Sequence, residues 1–154
     1  MRKTLIVLSV LGAGVGCGGS THLLEVAHYE EVCGASLCLI TSENGQAVRP
    51  VERIAGYTHQ WGVAEQVLVE PAAGGGLQLV EVVGRRSMVN ERFTLWIDRT
   101  AVKGNASGFM LGGAQPFGCD DADLCRWIEK KLDLGEKFPV EFAHGSPLRA
   151  LTVL

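Results

Sequence analysis

The 154-residue chain has no excess of positive charge: 14 Lys and Arg against 17 Asp and Glu leave a formal charge of −3. Nucleic-acid surfaces need clustered cations to neutralise phosphates, so that class of partner is excluded. No Cys-x-x-Cys occurs among the 5 cysteines, which removes dithiol redox chemistry of the usual kind. His22, His28, His59 and His144 contain no His-Glu-x-x-His spacing, so a zinc-hydrolase helix is absent. Gly74–Gly76 is followed by Leu-Gln rather than Gly-Lys-Ser or Thr, and no phosphate loop results. Ser146 lies in Gly-Ser-Pro and Ser36 in Gly-Ala-Ser-Leu; neither is a nucleophile elbow. Asp120, Asp121 and Asp123 lack the glycine and the closing glutamate of an EF-hand, and read better as acids capping a helix. The sequence therefore predicts no catalytic residues, no metal site and no cofactor.

Long apolar runs are scarce too. Leu5 to Val15 is uncharged and mostly apolar, well short of the roughly twenty residues a membrane-spanning helix needs. Arg2 and Lys3 precede it, and Gly14-Val15-Gly16 place small or slim residues directly before Cys17. The pattern resembles a bacterial lipoprotein signal: residues 1–16 are removed and Cys17 is lipidated. Gly14 stands where such signals usually carry Leu, so a plain secretory signal and an uncleaved anchor are the alternatives. Without Arg2 and Lys3 the charge becomes −3 − 2 = −5. Residues 17–22 are then the lipidated cysteine and a short tether holding the domain close to the membrane, an outer one in a diderm cell.

Cys33, Cys38, Cys119 and Cys125 remain, an even number that suits two disulfides in an exported chain. Three pairings are open. The local pairs Cys33–Cys38 and Cys119–Cys125 are preferred; crossed pairs would staple the two halves together. A four-cysteine zinc site is the competing reading. With four residues inside the first pair and five inside the second, the spacing fits zinc poorly.

The remaining chain predicts a mainly β (α+β) fold: a small antiparallel sheet or partly open barrel with one packed helix near the C-terminus. Residues 23–154 form a single domain, although 23–84 and 91–154 are also readable as joined subdomains. Leu23–Val32 reads as a strand with a helix as alternative, and Leu37–Thr41 as a second strand not necessarily hairpinned to it. Ser42-Glu43-Asn44-Gly45 marks a reversal. A turn of helix is expected after Pro50, then a strand over Val63–Glu70, a hairpin through Ala72–Gly76, and a strand over Leu77–Val83. Gly84-Arg85-Arg86 reads as a turn or solvated rim, with Arg92 adding to its positive charge. Phe93, Leu95 and Ile97 face inward against Arg92, Thr94, Trp96 and Asp98. Trp96 either caps a second small core or stays partly exposed, a ligand platform being the lesser reading. Thr100–Gly118 reads as loop with a short strand at Phe109–Leu111. A helix from Asp120 or Asp121 to Leu134 carries the stripe Leu124, Ile128, Leu132 and stops at Gly135. Phe138, Val140, Phe142 and His144 alternate inward, and Leu148–Leu154 closes the sheet.

VCGASLCLI and RIAGYTHQWGVAEQVLVE, within residues 32–70, resemble the DUF4377-type domain of bacterial envelope lipoproteins. The matching elements are Cys33, Cys38-Leu39, Ile54-x-Gly56-Tyr57, and Gly62 before Leu68-Val69-Glu70. His59 replaces the usual aromatic, and the likeness spans residues 23–84 only. It implies an exported, mostly β domain with no established activity.

Tyr57, His59 and Trp61, supported by Gly56 and Gly62, are the candidate binding constellation, although packing into the core is the stronger reading. His28 shares a strand face with Glu30, and two residues alone make no site. Three functions are carried. The first is a monomeric, non-catalytic envelope lipoprotein that binds another envelope protein or serves a structural role. The second is a secreted inhibitor or a small-ligand or glycan module using Tyr57, His59 and Trp61. The third is a hydrolase built on His28 or His144, which requires a carboxylate and a nucleophile within reach.

Overall fold

A computed structural model describes residues 20–48 and 50–154. The expected signal and the expected lipidation site at Cys17 lie outside the described residues, as does Arg49. Two curled six-stranded sheets divide the chain, the first built from residues 22–87 and the second from 92–153.

Sheet 1 contains β1 (His22–Cys33), β2 (Ser36–Glu43), β3 (Gln46–Ala47), β4 (Ile54–Ala55), β5 (Val63–Pro71) and β6 (Leu77–Ser87), in the order β3-β2-β1-β5-β6-β4. β1 and β2 form a direct hairpin closed by Gly34-Ala35, with Cys33 opposite Ser36. Gly34 at φ 71° supplies the left-handed first position such a two-residue turn demands. Asn44 and Gly45, both at positive φ, turn β2 into β3. Leu24, Val26, Leu39, Ile54, Val67 and Val69 form the core of this sheet.

Sheet 2 contains β7 (Arg92–Ile97), β8 (Val102–Asn105), β9 (Gly108–Leu111), β10 (Gln115–Cys119), β11 (Phe138–Ala143) and β12 (Leu148–Val153), in the order β7-β11-β12-β10-β9-β8. Phe93, Leu95 and Ile97 point inward, as do Phe138, Val140 and Phe142. Between β10 and β11 runs α1 (Ala122–Asp133), the one helix among the described residues. The Asp121 side chain accepts from the Leu124 amide at 2.8 Å, and Lys130 and Lys131 occupy the last turn. Cys125, Ile128 and Leu132 seat the helix on the larger core. Burying a side chain such as Ile128 or Leu132 stabilises by about 1.5–3 kcal/mol.

The disulfides are Cys33–Cys38 and Cys119–Cys125. The first braces the β1–β2 hairpin, and the second ties β10 to the first turn of α1. The sheets meet where Leu37 of β2 lies against Gly112 of the β9–β10 turn. A Cβ on Gly112, whose φ is 57°, would overlap the Leu37 side chain.

Several local expectations are corrected. The segment after Pro50 is extended, not helical: Val51 exchanges both backbone bonds with Leu39. An open position beside β2 outcompetes an isolated helical turn that would gain few bonds. Gly84, Arg85 and Arg86 continue β6 to Ser87, paired with Gln66, Glu65 and Ala64. Thr100–Gly118 holds three strands instead of one: the expected strand at Phe109–Leu111 is β9, and β8 and β10 flank it, with Gly112 and Gly113 in the β9–β10 turn.

Candidate functional site

Tyr57, His59 and Trp61 lie between β4 and β5, in a segment bounded by Gly56 at φ 78° and Gly62 at φ 85°. Gly62 fixes its exit. The Gly62 amide donates to the His28 carbonyl at 2.8 Å, and the Gly62 carbonyl accepts from Met88 at 2.7 Å. A Cβ there would be strained by the positive φ and would crowd Val89 Cγ1 at 3.1 Å and His144 Cγ at 3.4 Å, so glycine suits the position on both counts.

The three rings are not displayed together. The Tyr57 hydroxyl donates to Glu65 Oε2 at 2.6 Å, and Arg85 Nε bonds Glu65 Oε1 at 2.6 Å. Glu65 is only 4% exposed, which is sustainable because both carboxylate oxygens are satisfied. Burial, and then the bond to Glu65, push the Tyr57 hydroxyl far above its ordinary pKa. His59 Nδ1 stands 3.5 Å from the Tyr57 oxygen, while Nε2 is buried with no partner among the described residues. Burial lowers His59 to about 4, against the opposing pull of Glu65. At neutral pH it is an uncharged ring inside the protein. Trp61 packs against Phe93 at 5.8 Å, edge-on to His59 at 6.0 Å. Burial raises the pKa of Glu30, and the Trp61 indole beside it opposes that rise.

The segment also brings together two histidines that are 116 positions apart. His28 Nδ1 of β1 and His144 Nε2, just beyond β11, lie 2.6 Å apart. Both sit against Phe93, and the second nitrogen of His144 is buried without a partner among the described residues. Burial lowers both pKa values; Glu91 opposes this and Arg86 adds to it at His28, and His28 adds to it at His144. One neutral ring must donate and the other accept, so the pair joins sheet 1 to sheet 2 while uncharged. Tyr29 stacks on Phe93 at 4.6 Å and completes the junction.

Together these side chains form a packed polar seam between the two sheets. His28 and His144 bond each other, whereas a hydrolytic base would be held by a carboxylate and face a nucleophile. Among the described residues no group of three or more His, Cys, Asp or Glu is placed to hold a metal ion. No helix among them is long and apolar enough to cross a membrane. The basic rim is partly neutralised, Arg85 by Glu65 and Arg92 by Glu141. Of the three acids near the helix, Asp121 caps it, Asp123 pairs with Arg126, and Asp120 lies 3.6 Å from Arg149.

Glu65 escaped sequence reasoning although its signal was present. It shares a strand face with Val63, Val67 and Val69, an acid among valines. His144 was legible as sharing a strand face with Phe138, Val140 and Phe142; its contact with His28 was not, because no local pattern encodes a partner so remote. Compared with family models, curated proteins and solved structures, the chain matches none.

Proposed function

We propose that this chain is a lipid-anchored, non-catalytic protein of the bacterial cell envelope, acting by binding another envelope component or by a structural role. The observation that carries this reading is the cysteine usage. Four cysteines form two local bridges, the state expected in an oxidising compartment, and the fifth, Cys17, directly follows a short apolar run with a basic start. The burial of Tyr57, His59 and Trp61 in contacts with Glu65, Glu30 and Phe93 supports a packing role over a displayed glycan platform.

Detergent phase separation of cells making the wild-type protein or Cys17→Ser tests the anchor. The wild type should label with palmitate and enter the detergent phase, and Cys17→Ser should do neither. Equal partitioning of both into the aqueous phase refutes it.

A further inference from the structure

Next to the histidine junction the two sheets part to leave a groove of about 580 Å³. Tyr29, Val32 and Ile40 line it from sheet 1 and Thr94 and Trp96 from β7, with the charged Glu31 and Lys137 also on its walls. It narrows where Tyr29 stacks on Phe93. β7 is the outermost strand of sheet 2, paired with β11 alone.

Pro139 reveals which backbone groups of β7 are spare. Proline has no N–H, and the Pro139 carbonyl accepts from the Leu154 amide at 3.1 Å, so this residue turns its backbone toward β12. Its neighbours Phe138 and Val140 therefore turn toward β7, where their register partners are Ile97 and Leu95. Thr94 and Trp96 alternate with those residues and aim their amides and carbonyls away from β11. Among the described residues neither finds a backbone partner on that side. On β1, pairing with β5 stops at Val26. Leu39 gives both its backbone groups to Val51, so Glu30 opposite it, and Val32 in phase with Glu30, also turn theirs outward.

We propose that the groove is a strand-addition site: an extended peptide segment of a partner protein pairs with the Thr94–Trp96 edge and sets alternate apolar side chains against Trp96 and Ile40. The spare groups ask for this chemistry, because a row of N–H and C=O at two-residue spacing is matched by another extended backbone. Free edges are commonly blunted by charge or proline; here the charges stand at the two ends of the edge, Arg92 bonded to Glu141 and Asp98 bonded to Thr100, and leave Thr94 and Trp96 bare between them, with Trp96 56% exposed. The sheet 1 wall opposite the edge favours a single segment over a second copy, whose whole sheet would have to enter with its strand. The inference names the kind of partner for the binding role proposed above and rests on that role, but not on the lipid anchor.

The test is to pan a phage library of random decapeptides on the purified, oxidised protein, then to measure the enriched peptides by fluorescence anisotropy. They should show alternating apolar positions and lose about tenfold or more in affinity when alternate amides are N-methylated, as expected from losing one or two bonds. Thr94→Pro removes an amide that β11 does not use and should weaken binding by a similar factor; should that variant misfold, the N-methylated peptides on wild-type protein give the answer alone. No enrichment, indifference to N-methylation, or equal binding to a folded Thr94→Pro overturns the proposal. So does a concentration-dependent dimer paired through β7, which gives the edge to a second copy. Failure of the Cys17→Ser partition test would leave these outcomes unaffected.

Discussion

Thr41 is 1% exposed in β2, and its hydroxyl has no partner among the described residues. Burying a hydroxyl unpaired costs about 1–3 kcal/mol, so Thr41→Val, close in shape, should raise stability by about 1 kcal/mol in urea unfolding. The histidines act in the opposite sense, through protons. His28, His59 and His144 all have folded pKa values below the ordinary 6.5, so the unfolded chain binds more protons as pH falls. Their contribution is complete above about 6.5 and is lost as pH drops toward the folded values, about 4 for His59. Each titrating histidine adds a slope of up to about 1.4 kcal/mol per pH unit. Glu30 is raised, so its contribution is present below its ordinary 4.5 and fades as pH rises through its folded value. It opposes the histidines only at the acid end. Unfolding free energy should therefore fall between pH 7 and pH 5, and the fall should be shallower in His59→Phe. A flat wild-type profile would show that the junction does not depend on neutral rings.

At the scale of elements, α1 and its bridge are the most exposed to test. Replacing Cys119 and Cys125 together by Ala should cost about 2–5 kcal/mol, since the bridge joins the first helical turn to β10. Asp121→Ala should cost about 1 kcal/mol through loss of the bond to Leu124. Chemical denaturation checks both, and an unchanged midpoint in the double cysteine variant would count against any structural load on the bridge. The helix and its caps were legible in sequence because acids, apolar spacing and Gly135 all speak locally. β7 and β11 were legible for the same reason, their period of two being unbroken. Of the three strands after β7, only β9 was legible, at Phe109–Leu111; β8 and β10 were not, because Gly104 and Pro116 hide short strands whose stability comes from neighbours instead of intrinsic preference. The Val51 segment was misread similarly: its extended form is dictated by Leu39, a residue the local pattern does not include.

Over the whole molecule, two sheets with separate cores are joined through few contacts, among them Leu37 on Gly112, Tyr29 on Phe93 and His28 on His144. None was readable in advance, since each pairs residues more than sixty positions apart. Gly112→Val should strain the β9–β10 turn and push Leu37 away, lowering the thermal midpoint more than Gly113→Val, where φ is also positive but an added Cβ meets nothing within 4 Å. Equal effects of the two would mean that the contact between sheets contributes little.

Export and anchoring stand behind the whole functional reading, and mass spectrometry of the protein taken from its native membrane fraction, digested without reduction, addresses them most directly. The account predicts a chain that begins at an acylated Cys17 and yields linked peptides joining Cys33 to Cys38 and Cys119 to Cys125. An intact chain that retains residues 1–16, with four free thiols, would contradict it.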